Sequence, residues 1–279
     1  MADTRKTILI TGCSSGIGYD CAHYLANKGW RVFATCRKPD DVRRLIDEGL
    51  ESYVLDYDDD ESITAGVTET LNRTGGSLDA LFNNGAYGIP GLLEDLPRAA
   101  LKANFETNFF GQHELTRQLI PVMREQGHGR ILMNSSVLGF AALPWRGSYN
   151  STKFAMEGWA DTLRLELRKS NIHVVLIEPG PITSDIRRNS IPHYEKWIEP
   201  EKSARADAYK NRLEKRLYVD DGVPDRFELP AEAVSKVVHD ALTIRNPRNR
   251  YRITTPTKVF ALLKRILPSR MLDGILVKG

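Results

Sequence analysis

The chain has 279 residues, 41% of them hydrophobic and 27% charged, which suits one large domain with a substantial core. A formal net charge of +3 is too small and too dispersed to point to nucleic acid. No stretch reaches the ~18 unbroken apolar residues of a membrane span.

The start has basic residues, but its apolar run is too short for a secretory h-region and leads straight into a strand pattern at 7–11. Next comes Thr11-Gly12-Cys13-Ser14-Ser15-Gly16-Ile17-Gly18, opening a helix pattern through Tyr24 and Leu25. Glycines there permit a tight turn and let backbone N–H groups approach a pyrophosphate at the positive end of a helix. Gly12, Ser14, Ser15, Gly16, Ile17 and Gly18 are therefore candidate cofactor-binding residues. A second strand at 31–35 runs into Thr35-Cys36-Arg37-Lys38, with no carboxylate at its tip. An acid there would grip the ribose 2′-hydroxyl of NAD, whereas a basic residue accepts the 2′-phosphate of NADP. Arg37 favours NADP; Asp40 or Asp41 folding back to the ribose leaves NAD open. Cys13, Cys21 and Cys36 form no Cys-x-x-Cys and read as free thiols of a reducing compartment, so a cytoplasmic location is expected. Nor do the histidines cluster, and no metal is expected.

Further strand patterns at 52–55, 80–83, 130–134 and 173–177 alternate with helix-length segments. This order implies an α/β fold: a Rossmann-type, doubly wound parallel sheet with helices on both faces, in a single domain over 1–279. Ligands of such sheets bind at the carboxyl ends of the strands. The helix after 130–134 carries Tyr149-Asn150-Ser151-Thr152-Lys153, placing a phenol and an ammonium on one face. A fixed positive neighbour favours phenolate and turns a tyrosine into a usable acid or base. From 184 to 229 the pattern breaks into a charged stretch with Pro192, Pro200 and Pro224 and a helical piece near 204–217, expected to be a substrate lid. A helix resumes at Pro230, followed by a strand at 250–254. The end, 256–279, is a basic amphipathic segment with Lys258, Lys264 and Arg265. It is expected to dock on its own domain or a partner subunit, with contact to a membrane surface as the other reading.

With these motifs in order, nearly the whole chain resembles the short-chain dehydrogenase/reductase family, in its single-domain branch with the Thr-Gly-x-x-x-Gly-x-Gly loop. It is similar to bacterial NADP-dependent aldehyde reductases and to the retinol and hydroxysteroid dehydrogenase branch of that family. The resemblance assigns Asp56 to the adenine. Asn83-Asn84-Gly85-Ala86 matches the family's Asn-Asn-Ala-Gly element with its last two residues transposed, so Asn84 and Gly85 join the cofactor set. Pro179-Gly180-Pro181-Ile182-Thr183 matches the Pro-Gly element, with Thr183 on the nicotinamide carboxamide. Asn108 matches the helix asparagine, and Ser136, thirteen residues before Tyr149, matches the catalytic serine, while Ser135 reads as a strand-end cap.

The mechanism implied has Tyr149 donate a proton to the substrate oxygen as NADPH delivers hydride. Lys153 lowers the tyrosine pKa and binds the nicotinamide ribose, Ser136 positions the carbonyl, and Asn108 anchors a proton-relay water. The expected function is NADPH-dependent reduction of a hydrophobic aldehyde or ketone. The alternatives are NAD(P)-dependent oxidation of a hydroxysteroid or retinol-like alcohol, and a nucleotide sensor without chemistry. Leu138, Phe140, Leu143, Pro144, Trp145, Tyr87, Ile89 and Leu92 are candidates to line an apolar substrate pocket. A homodimer or homotetramer is implied by the resemblance.

Overall fold

The computed structural model describes residues 4–219 and 225–277. Three parts of the expectations lie outside the described residues: 1–3, the stretch 220–224 of the insertion with its Pro224, and the last two residues of the C-terminal segment.

Alternating burial builds the sheet from β1 (Thr7–Thr11) outward. Ile8 and Ile10 face a core containing Cys21, Ala22 and Leu25, while Leu9 faces the opposite core with Ile63, Leu115 and Met156. Both sides of a strand are covered, so it reads as a continuous apolar run. The other strands are β2 (Arg31–Cys36), β3 (Glu51–Val54), β4 (Ala80–Asn83), β5 (Gly129–Asn134), β6 (Ile172–Pro179) and β7 (Arg250–Ile253). They pair in parallel in the order β3-β2-β1-β4-β5-β6-β7. The order reverses between β1 and β4, the switch point at which such sheets open a crevice.

One face carries α1 (Gly16–Asn27), α2 (Pro39–Asp47) and α10 (Glu232–Thr243). The other carries α3 (Asp60–Thr74), α5 (Gly111–Glu125) and α6 (Gly147–Glu166). Leading into α5, α4 (Arg98–Phe105) continues through a π-helical turn, Glu106–Phe110. The insertion after β6 holds α7 (Ile186–Trp197), then α8 (Ala206–Ala208), a second π turn (Tyr209–Leu213) and α9 (Glu214–Tyr218). These last three supply the helical piece expected near 204–217. Helix α7 spans Pro192, the residue that made this stretch read as broken. Tyr194, Ile198, Tyr209, Leu213 and Leu217 of the insertion close on Ile89, Leu92 and Trp145 in a third core cluster. Those three pocket candidates therefore pack as core beneath the insertion, whose aromatic side chains cover them.

The C-terminal segment folds as α11 (Thr255–Ile266) and α12 (Ser269–Leu276), broken at Pro268. No helix among the described residues is long and apolar enough to cross a membrane. Cys13, Cys21 and Cys36 are buried free thiols.

Candidate active site

The turn after β1 is shaped by what its glycines exclude. Gly12 and Gly16 take left-handed φ angles of 67° and 59°, a region that side chains disfavour. A Cβ on Gly18 would lie 2.4 Å from the Gly12 carbonyl oxygen and 2.5 Å from Asn84 Nδ2. The turn is thus clamped against the end of β4. Asn84 Nδ2 donates to the carbonyls of Thr11 at 3.0 Å and Gly12 at 3.2 Å, and the N–H groups of Asn84 and Gly85 donate to Thr11 Oγ1. Ser15 precedes α1 without capping it through its side chain, and no acid stands in the first turn. Donors left open at a helix N-terminus favour a phosphate.

Arg37 is exposed at the end of β2. Its charge reaches both Asp58 and His193 of α7. Asp41 lies 3.6 Å from Arg44, and Asp40 pairs with Arg43, so both alternative ribose acids are engaged on their own helix. Asp56 follows β3, its N–H donating to Ser62 Oγ at 3.0 Å and its Oδ1 accepting from the Asp58 N–H at 3.2 Å. Across the crevice, Gly180 leaves no room for a side chain: a Cβ would meet Thr254 Oγ1 at 2.2 Å and Thr257 Oγ1 at 2.6 Å. Pro179 ends β6, and Thr183 is exposed with its N–H on the Leu229 carbonyl at 3.0 Å.

Asn108, Ser136, Tyr149 and Lys153 converge beside this crevice. The π turn aims the fully buried Asn108 so that its Nδ2 donates to the Tyr87 carbonyl at 2.8 Å and to Thr152 Oγ1 at 3.2 Å. Its Oδ1 accepts from the Tyr87 N–H at 3.0 Å. Single π turns inside helices recur at functional sites. Ser136 ends the β5 loop, where its Oγ accepts the Leu138 N–H at 3.1 Å. Lys153 is only 1% exposed, and its Nζ donates to the Asn134 carbonyl at 2.6 Å. From the same Asn134, Nδ2 donates to Asn84 Oδ1 at 2.8 Å. One chain of contacts therefore runs from Lys153 through Asn134 and Asn84 to the glycine turn.

The electrostatics differ from expectation at one point. Burial pushes the Tyr149 phenol up to about 12, and the group that opposes burial is the Ser136 hydroxyl beside it. Lys153 stands 5.4 Å from the tyrosine ring centre, bound to Asn134, and does not bring the phenol below its ordinary value. Burial pulls Lys153 itself down to about 7, with Glu157 opposing.

Behind the lysine lies a network that the sequence reading missed. Ser135 Oγ donates to Glu157, so Ser135 does more than end a strand. Arg250 Nε lies 3.2 Å from Glu157 and 3.0 Å from the fully buried Glu178, which Arg252 also reaches at 2.9 Å. Burial, with Glu157 adding to it, raises Glu178 to about 7. A signal existed: Glu178 is the one carboxylate in β6, after the apolar run 174–177, and Glu157 stands one helical turn after Lys153. Of the expected pocket residues, Leu138, Phe140, Leu143 and Pro144 remain partly exposed. Tyr87 stacks on His193, ring centres 3.8 Å apart.

A tyrosine and a buried lysine on one helix, the lysine linked through Asn134 and Asn84 to a glycine turn at the switch point of a doubly wound sheet, define the arrangement that comparison with known proteins identifies. The short chain dehydrogenase family model matches residues 6–195, and the chain belongs to that family. It is 40% identical over 273 residues to the uncharacterized oxidoreductase YbbO of Escherichia coli, covering 98% of this chain and 94% of the relative. It is 38% identical over 196 residues to retinol dehydrogenase 8 of Bos taurus, covering 66% of this chain and 62% of that one. A short chain dehydrogenase/reductase from Burkholderia phymatum, solved in complex with NAD, superposes with a TM-score of 0.78 at 22% identity, over 95% of this chain and 94% of its own.

Proposed function

We propose that the chain reduces a hydrophobic aldehyde or ketone to the alcohol with NADPH. The observation that carries this reading is the placing of the Tyr149 phenol beside the Ser136 hydroxyl, with Lys153 5.4 Å from its ring and burial raising the phenol. Such a phenol keeps its proton throughout the physiological range and suits donation to a carbonyl oxygen better than abstraction from an alcohol.

The residues present fit a nicotinamide dinucleotide. The open N–H groups before α1 suit its pyrophosphate, and the exposed Arg37, with Asp40 and Asp41 engaged elsewhere, suits a 2′-phosphate. Asp56, Asn84, Gly85, Pro179, Gly180 and Thr183 complete the walls around it. Bound there, NADPH supplies the hydride. Ser136 orients the carbonyl, Tyr149 gives up its proton to the substrate oxygen, and the Lys153 ammonium stabilises the phenolate left behind. Asn108, locked to Tyr87 and Thr152, fixes the wall through which a proton returns from solvent.

Leu138, Phe140, Leu143 and Pro144 give the pocket an apolar side. The insertion serves as its lid, with the His193–Tyr87 stack as the contact that closes it. Likeness to a retinol dehydrogenase favours a second reading, in which the same residues oxidise a retinol-like alcohol. Buried thiols suit a reducing cytoplasm. Exposed Phe110 and Leu165, at 48% and 66%, support pairing of two copies along α5 and α6. The deciding experiment is a screen of NADPH oxidation over aliphatic, aromatic and steroidal carbonyls, with NADH in parallel. Turnover of apolar aldehydes or ketones with NADPH preferred is expected; cofactor binding with no turnover of any carbonyl would overturn the proposal in favour of a sensor.

A further inference from the structure

We propose that the outer face of α11 and α12 rests on an anionic lipid surface. The inner side of α11 docks on its own domain through Thr257 and Ala261, both buried, and through Lys264, whose Nζ donates to the Phe140 carbonyl at 2.7 Å. Successive residues turn by about 100° around a helix, which places Val259, Leu262 and Ile266 on the side roughly opposite that contact. They are 46%, 60% and 63% exposed. Beyond Pro268 the apolar strip continues on α12 with Met271 and Ile275, 59% and 42% exposed. A helix that serves only as a cap on its own domain needs no exposed apolar side, and α11 has one.

Charge selects the occupant of that side. Lys258 and Arg265, both exposed, flank Leu262 at one turn before and one turn after, and exposed Arg270 adjoins Met271. Among residues 255–277 the basic side chains are Lys258, Lys264, Arg265 and Arg270, against a single acid, Asp273. A second copy laid across this face would set basic flank against basic flank with one carboxylate per copy to offset them. A layer of anionic headgroups over an apolar interior is complementary to both features at once. The segment lies on the surface, since no described helix is long and apolar enough to span. Lys264 also ties α11 to the loop that carries Phe140, so a seated helix brings the apolar wall of the pocket to the bilayer from which a lipid-soluble carbonyl arrives.

The test is flotation of the full chain with vesicles of phosphatidylcholine alone and of phosphatidylcholine mixed with phosphatidylglycerol. Wild-type protein is compared with a Leu262→Gln, Ile266→Gln double variant and a Lys258→Gln, Arg265→Gln double variant. All four positions are exposed, so both variants should fold, and reduction of a water-soluble aldehyde should match wild type. Wild type is expected to float with the anionic vesicles and to fall away as salt rises. The basic pair should lower the binding constant roughly fivefold for each charge removed, and the apolar pair by about tenfold or more. Absence of vesicle binding, equal binding to both vesicle types, or binding that neither double variant weakens would each overturn the proposal. So would a dimer that the apolar pair dissociates in the absence of any vesicle binding, which would assign the face to a second copy.

Discussion

Replacing Gly18 with alanine tests whether the glycine turn is a fitted cradle or merely a flexible loop. The new methyl carbon would stand 2.4 Å from the Gly12 oxygen and 2.5 Å from Asn84 Nδ2, so one of them has to move. Neither moves freely. The Gly12 oxygen belongs to the backbone, and Asn84 is pinned by its donations to Thr11 and Gly12 and by Asn134 Nδ2 on its Oδ1. Overpacking of this kind costs about 1–3 kcal/mol. Displacing Asn84 forfeits three neutral hydrogen bonds at about 1 kcal/mol each, so the total falls at roughly 4–6 kcal/mol. Gly158 is the control: it is exposed in α6, where an added methyl would meet nothing within 4 Å, and its change to alanine should stabilise the protein by about 0.5–1 kcal/mol. Urea unfolding of both variants reads these energies. NADPH titration of Gly18→Ala should show Kd raised at least about tenfold, equivalent to ~1.4 kcal/mol, because the first turn of α1 tips away. Unfolding midpoint and Kd both equal to wild type would refute the reasoning.

Three further outcomes follow from the site. Arg37→Ala should lower kcat/KM for NADPH by about tenfold or more, as expected for loss of one charge-assisted phosphate contact, and leave NADH nearly unaffected; equal losses for both cofactors would remove Arg37 from the 2′-phosphate. Lys153, pulled down to about 7 by burial, is an ammonium below that pH and neutral above it, so kcat/KM should fall as pH rises through the lysine's own titration. Glu157→Gln removes the carboxylate that supports the ammonium, and the same limb of the profile should move to lower pH; a limb that stays in place would show that Glu157 holds structure alone.

The sheet was legible because a strand buried on both faces leaves an unbroken apolar run. Strands β1 and β4 fall where the sequence puts them, and β3 begins one residue early, at Glu51, because pairing with Phe33 of β2 extends its N-terminal end. The glycine turn and the tyrosine–lysine spacing were legible for a similar reason: their chemistry needs particular side chains at fixed intervals. What escaped was whatever depends on backbone atoms or distant partners. The π turn that aims Asn108 has no residue signature distinct from an α-helix. The partner of Lys153 is a backbone carbonyl, that of Asn134, so spacing alone suggested the phenol. Burial of the phenol, which raises Tyr149, arises from packing of separate elements and appears in no local motif. Helix α7 was hidden by Pro192, and its His193 meets Tyr87 only because the insertion folds back over the loop after β4.

The central claim is that Tyr149 is the proton donor in a reduction carried out beside a bound NADPH. Single-turnover reduction of an apolar aldehyde by Tyr149→Phe, run with NADPH binding measured on the same sample, addresses it most directly. Loss of the phenolic proton should slow the step by about 10²–10⁴-fold while NADPH Kd stays within twofold or so of wild type, the ring being kept. A Tyr149→Phe variant that reduces the aldehyde at the wild-type rate would contradict the account.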